Sequence, residues 1–283
     1  MVDEALARSF RGAGEDYHRY RPGFPAAAAQ AMLSRPVEAV LDLGAGTGKL
    51  TVQLVQRARR VIAVDPSEQM LAVLRAHLPN VDARVGTAER IPVGDTEVDA
   101  VTVAQAFHWF EREPACAEIR RVLRPGGTLG LVWNRTDPEC SWDLACHRIA
   151  HPQATASGGE EGEEQVEQLP GFVFAERATF RWSETVSRAD YVRRWQTVST
   201  FLAADPAERA RMTSAVEQVL ATDAATRGRE QLVLPQLTDV FVYRRAETDR
   251  VVPARTPGGV SLVGSDVGAT AEEIMADVRA DRS

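Results

Sequence analysis

The stretch Val40-Leu41-Asp42-Leu43-Gly44-Ala45-Gly46-Thr47-Gly48-Lys49-Leu50 constrains this chain more than any other. An apolar run reaches an acid, and three alternating glycines then precede a helical pattern. That order reads as a parallel strand entering a tight turn that opens a helix. Glycine suits the turn because a Cβ would oppose both a positive φ and the close approach of a ligand to the backbone. Such a turn is expected to leave free N–H groups at a helix N-terminus, in a crevice at the carboxyl end of the strand. A dinucleotide fingerprint needs Gly or Ala three residues after its second glycine, and Lys49 stands there instead. A second apolar run, Val61–Val64, ends in Asp65. An acid at that strand tip suits a ribose diol, which any adenosine cofactor carries.

The chain has 283 residues, enough for one large domain or one domain with additions. Its net charge of −7 opposes a global basic face, so no nucleic-acid partner is expected. No apolar run approaches the roughly 20 residues that span a bilayer, so no membrane span is expected. The opening Met1-Val2-Asp3-Glu4 lacks the basic-then-apolar order of a signal peptide, which points to a cytoplasmic protein. Cys116, Cys140 and Cys146 are too few and too irregular for a disulfide framework.

Strands and helices alternate along the first half. A helix is expected over 47–56. A second follows Ser67 and stops at Pro79. A strand is expected over 81–85, a strand buried on both faces over 98–104, a helix over 114–123 and a fifth strand over 128–133. Arg124-Pro125-Gly126-Gly127 closes the third helix. This alternation predicts an α/β fold, a doubly wound Rossmann-like sheet. The segment 153–168 reads as an exposed acidic loop. Helices are expected over 188–195 and 206–220. A tail from 246 is rich in Pro, Gly and Thr, and Thr270-Ala271-Glu272-Glu273 offers a capping box for a last helix.

From here the chain resembles the class I S-adenosylmethionine-dependent methyltransferases, in the type 11 and trans-aconitate-methyltransferase-like branch. The matching pieces come in family order. They are Arg19–Pro25, Val40–Leu50, Val64-Asp65-Pro66-Ser67 with Met70-Leu71, Gly86-Thr87-Ala88-Glu89 with Ile91-Pro92, Val98–Val101 with Gln105–Phe110, and Val122–Gly127. The likeness is close over residues 9–135 and loose over 170–245. It implies a seven-stranded sheet ending in an antiparallel pair, formed by Phe172–Trp182 and Val240–Tyr243. It further implies a methyltransferase domain over 1–245, comprising an arm (1–25), a cofactor-binding core (36–135) and a substrate-side insert (136–236). The extension 246–283 has no family account.

The resemblance also implies roles in holding S-adenosyl-L-methionine, with S-adenosyl-L-homocysteine as product. Gly44, Ala45 and Gly46 would pass the backbone along the methionine part. Asp42 would hold the turn and the ammonium side. Asp65 would take the ribose diol beside Pro66, and Met70 would pack on the adenine. Ala88 and Glu89 would sit at the adenine edge, where Thr87 replaces the family's usual Asp. Gln105 would reach the amino-acid end, and the arm's Tyr17 and Arg21 would fold over it. Methyl transfer is an in-line displacement, so the protein mainly aligns the acceptor and keeps water out. A base matters only for an acceptor that is protonated at neutral pH. His108 is the candidate catalytic residue, since imidazole is mostly neutral at pH 7; an orienting or structural role is the alternative.

Trp109, Trp133, Trp142, Trp182 and Trp195 offer an aromatic pocket or ordinary core. Cys140, Cys146, His147 and His151 do not match zinc spacing, so no metal is expected. The function implied is methyl transfer to a small molecule, first to an oxygen of a carboxylate or hydroxyl. The alternatives are a C- or N-methyltransferase, a macromolecular acceptor, a non-methylating protein that keeps the cofactor pocket, and a nicotinamide dehydrogenase. Oligomeric state has no signal in the sequence.

Overall fold

A computed structural model describes residues 14–151 and 168–246. The acidic stretch Gly158–Glu164, the first half of the arm and the capping box at Thr270 lie outside them. Seven strands form one sheet in the order β3-β2-β1-β4-β5-β7-β6. They are β1 Val37–Leu43, β2 Ala58–Asp65, β3 Asp82–Val85, β4 Val98–Ala104, β5 Leu123–Thr136, β6 Phe172–Ser187 and β7 Gln231–Arg245. The first five are mutually parallel, and β7 runs antiparallel to both β5 and β6. The sequence-based expectation of a doubly wound sheet ending in an antiparallel pair is met.

The sheet is buried on both faces. Leu41, Leu43, Val101, Val103 and Leu131 pack into one apolar layer. Val40, Val61, Ala63, Ala100 and Val132 pack into the other. Alternate residues of the same strands thus serve opposite layers, which is why β1 and β4 are mostly apolar with few polar interruptions. The β4–β5 register slips between Val98 and Ala100, and this irregularity accommodates Arg124–Gly127 inside β5.

The helices are α1 Gly14–Tyr20, α2 Ala26–Met32, α3 Thr51–Leu54, α4 Glu68–His77, α5 Arg112–Val122, α6 Ser141–Ala150, α7 Arg188–Gln196, α8 Ser199–Ala203 and α9 Pro206–Thr222. Two expectations need correction. The helix expected over 47–56 is only the short α3, because Gly48 still sits at φ 87° and helical geometry cannot begin before it. The antiparallel pair is much longer than expected, with β6 and β7 paired as far as Ser187 and Gln231. Pro235 hid this extension in the sequence. It is tolerated because β5 stops opposite Gln236, so that β7 beyond this point has a neighbour on one side alone.

This extended ribbon carries the insert. Trp142, Cys146, Tyr191, Phe201, Leu220 and Leu234 form a third apolar cluster joining α6, α7, α8 and α9 to β7. Cys116, Cys140 and Cys146 are buried free thiols. No helix among the described residues is long and apolar enough to cross a membrane.

Ser67 caps α4, its hydroxyl accepting from the Met70 N–H at 3.3 Å. Ser67→Ala should cost about 1 kcal/mol of stability, measured by chemical denaturation. An unchanged midpoint would show that another group satisfies this end.

Candidate active site

The glycine turn connects β1 to α3 with Gly44 at φ 70° and Gly46 at φ 54°. Its N–H groups do not match the expectation of free donors. Those of Gly44 and Ala45 both donate to the Val64 carbonyl, at 2.8 and 3.1 Å. That of Gly46 donates to Asp65 Oδ2 at 2.8 Å. The turn is therefore stitched to the tip of β2. What it presents is room: a Cβ at Gly46 would meet nothing within 4 Å, whereas one at Gly44 would lie 2.7 Å from the Ala106 Cβ.

Asp42 lies buried beneath the turn, where it accepts from Thr51 Oγ1 at 2.6 Å and from Thr102 Oγ1 at 3.2 Å. Burial pushes its carboxyl up to about 7, and the two hydroxyls oppose that shift. The Asp65 carboxyl is also raised by burial and lowered by its two N–H donors, Ser67 and Gly46. Pro66 follows Asp65 directly. Met70, on the buried face of α4, lies beneath the arm, where a Cβ at Gly14 would come 3.9 Å from its sulfur. Ala88 is buried. Glu89 accepts the Glu111 N–H at 3.0 Å, which ties it to the start of α5.

A cavity of about 290 Å³ opens beside the turn. Of the residues singled out in the sequence, it brings together Tyr17, Arg21, Gly44, Ala45, Gly46, Gln105 and His108. Asp42, Asp65, Pro66, Met70, Ala88 and Glu89 do not line it. His108 is exposed on a 3₁₀ turn, Phe107–Trp109, with its ring 4.7 Å from that of Trp109. Gln105 holds φ 54°, a strained value for a side chain other than glycine, and its Nε2 donates to the Asn134 carbonyl at 3.3 Å. Of the five tryptophans, Trp109 and Trp195 line the cavity. Trp133 and Trp142 belong to apolar clusters, and Trp182 donates to Thr238.

Sequence reasoning missed much of the opposite wall: Asn134, Arg135, His147, His151, Arg194 and Gln236. His147, on the last turn of α6, and His151, its C-cap, bring their rings together at a tilt, with centroids 4.6 Å apart. Their spacing of four was visible and was weighed only as a zinc pattern. Among the described residues no group of three acidic, His or Cys side chains is placed to hold a metal. Arg194 precedes Trp195 in the last turn of α7, and nothing in the pattern marked that helix end as facing a site. The arm is fixed over the cavity mouth. Arg21 Nη2 donates to the Thr197 carbonyl at 3.2 Å, Arg193 donates to Tyr20 Oη at 2.8 Å, and Asn134 donates to the Gly23 carbonyl at 2.8 Å.

The comparisons agree with this geometry. Residues 41–131 match the family model described as a methyltransferase domain. An uncharacterized methyltransferase of Mycobacterium tuberculosis is 39% identical over 233 residues, covering 82% of this chain and 94% of the relative. One from Schizosaccharomyces pombe is 32% identical, covering 83% and 96%. The solved structure described as a putative type II methyltransferase from Anaeromyxobacter dehalogenans superposes with TM-score 0.62 at 25% identity, covering 81% of this chain and 98% of that one. The chain belongs to the class I S-adenosylmethionine-dependent methyltransferases. Its residues fit that cofactor, because the turn leaves open space at Gly46 and an acid ends β2 beside it.

Gly46→Ala should cost only roughly 1–2 kcal/mol, for its left-handed backbone, yet weaken S-adenosylhomocysteine binding more than tenfold in calorimetry. Retained affinity would remove this turn from the site. Asp42 makes a pH prediction. Its folded carboxyl holds a proton up to about 7, against an ordinary value of 3.8, so the native state binds more protons within that window. Stability should fall as pH rises through it, and Asp42→Asn should flatten the slope in pH-dependent melting. An unaltered slope would place the titration elsewhere.

Proposed function

We propose that this enzyme methylates an oxygen, carboxylate or hydroxyl, of a small-molecule acceptor bound in the cavity between the glycine turn and the insert. One observation carries the reading: His108, Gln105 and the arm's Arg21 line the same cavity as Gly44–Gly46. The cofactor supplies a sulfonium-bound methyl group, already strongly electrophilic. In this reading Gly44, Ala45 and Gly46 hold its amino-acid portion, with Gln105, Tyr17 and Arg21 around the carboxylate and ammonium. Asp65 accepts the ribose hydroxyls, and Pro66, Met70, Ala88 and Glu89 border the adenine. Asp42 acts from beneath, through Thr51, by fixing the turn.

The arm and the insert exclude water, which strengthens every polar contact inside. His108 is the catalytic base when the acceptor is a hydroxyl: its neutral imidazole takes the proton as the oxygen gains the methyl. A carboxylate acceptor is already ionised, and His108 then serves to orient it.

Incubating the protein with methyl-labelled S-adenosylmethionine and the source organism's metabolite extract should yield a labelled small molecule by mass spectrometry. No label above a Gly46→Arg control, across extracts and a panel of carboxylic acids and alcohols and in a protein that still binds S-adenosylhomocysteine, would favour a non-methylating use of the same pocket. With the acceptor in hand, His108→Ala should lower kcat roughly 100-fold or more for a hydroxyl and only a few-fold for a carboxylate. An unchanged rate would eliminate His108 as base.

A further inference from the structure

The arm meets the rest of the protein along two flanks of α1. On one flank α7 holds it: Arg193 donates to Tyr20 Oη at 2.8 Å, and Arg19 lies 3.5 Å from Asp190. On the other flank lies α4. There the His18 ring stacks on His77, in the last turn of α4, with centroids 4.1 Å apart and planes 14° apart. Gly14 closes against the same helix, where a Cβ would come 3.3 Å from Val73 Cγ2 and 3.6 Å from the Gln69 carbonyl. His18 stands between Tyr17 and Arg21, two arm residues that line the cavity.

Stacked imidazoles attract as neutral aromatic rings and repel once both are charged. Even a single proton is costly at this place. The Nδ1 of His18 is buried and has no hydrogen-bond partner among the described residues, whereas a charged ring carries an N–H on each nitrogen. Lys49, from the glycine turn, brings another cation close to it. Burial first, then Lys49 and His77, hold the pKa of His18 below its ordinary value of 6.5. The Thr47 backbone and Glu15, on α1 itself, favour the charge and are the weaker influences. From α7, Asp190 and Arg193 face Arg19 and Tyr20 instead. His77 is exposed, so solvent protons reach this side of the stack directly.

We propose that His18 and His77 form a pH-sensitive latch, which holds the arm over the cavity while both rings are neutral and releases it when they take protons. The sign follows from linkage. The closed arm binds fewer protons than the open one, so closure is complete above the ordinary histidine value of 6.5 and weakens as pH falls below it. Opening the latch carries Tyr17 and Arg21 out of the cavity. The latch thereby sets how long S-adenosylhomocysteine stays bound, a link that rests on the methyl-transfer reading above. His18 is a positioning residue in this scheme and touches no reacting atom.

The test follows hydrogen exchange of the full, ligand-free chain. Protection of amides 14–21, corrected for the intrinsic pH dependence of exchange, should fall roughly threefold or more from about pH 7.5 to about pH 5.5. His77→Phe keeps an aromatic partner for His18 but cannot titrate, and should shrink that fall while the arm stays protected at the higher pH. His18→Phe should abolish it. Asp42 and Asp65, whose carboxyls burial raises, are the same in all three proteins, so the difference between the profiles isolates the latch. Protection that does not change with pH, or a change that both Phe variants leave intact, overturns the latch. The dissociation rate of S-adenosylhomocysteine should rise by a similar factor on acidification in wild type and stay level in His18→Phe. A level rate in a protein whose arm does open overturns control of the site by the latch. A protein whose arm responds but which does not bind S-adenosylhomocysteine overturns the methyl-transfer reading and leaves the latch standing.

Discussion

The Asp65 carboxylate joins the glycine turn to the start of α4. One oxygen accepts the Gly46 N–H and the other the Ser67 N–H, so the turn after β1 and the start of α4 share a single anchor. The Val64 carbonyl adds two bonds from the same turn. The parallel pairing of β1 with β2 places these tips side by side, with Leu43 opposite Val64. Asp42 completes the arrangement from below through Thr51 and Thr102. The glycine turn is thus held by hydrogen bonds from within the protein, a form of preorganisation that reduces the ordering cost of binding.

Around this fixed edge the chain adds a wall of very different chemistry. The arm, α6 with its C-cap, and α7 contribute Arg21, His147, His151 and Arg194 to one cavity. The whole chain is acidic, with a net charge of −7, so this concentration of basic groups is local. Local charge in a low-dielectric cleft selects ligands more strongly than the protein's overall balance. The acidic composition weighed against a polyanionic partner across the surface, and it is silent about a single anion inside.

The central strands and the turn were legible because their signals are local. Val98–Ala104 matches its expected bounds because a strand buried on both faces is mostly apolar, here interrupted only by Asp99 and the hydrogen-bonded Thr102. Ser67 and Pro79 bracketed α4 through its cap and stop. The glycine pattern located the turn but misjudged its N–H groups, because their acceptors, Val64 and Asp65, lie on another strand. The far wall was illegible for the same reason. Arg194 reaches the cavity from α7, which follows the far end of the extended β6, and His147 from α6, which follows β5. No periodicity within α6 or α7 records that placement.

The most direct measurement is the affinity of the purified protein for S-adenosylhomocysteine and for NAD, compared between wild type and Asp65→Asn. The account predicts S-adenosylhomocysteine binding that weakens tenfold or more when Asp65 loses its charge, and no binding of NAD. Equal S-adenosylhomocysteine affinity in the two proteins, or NAD bound in its place, would contradict it.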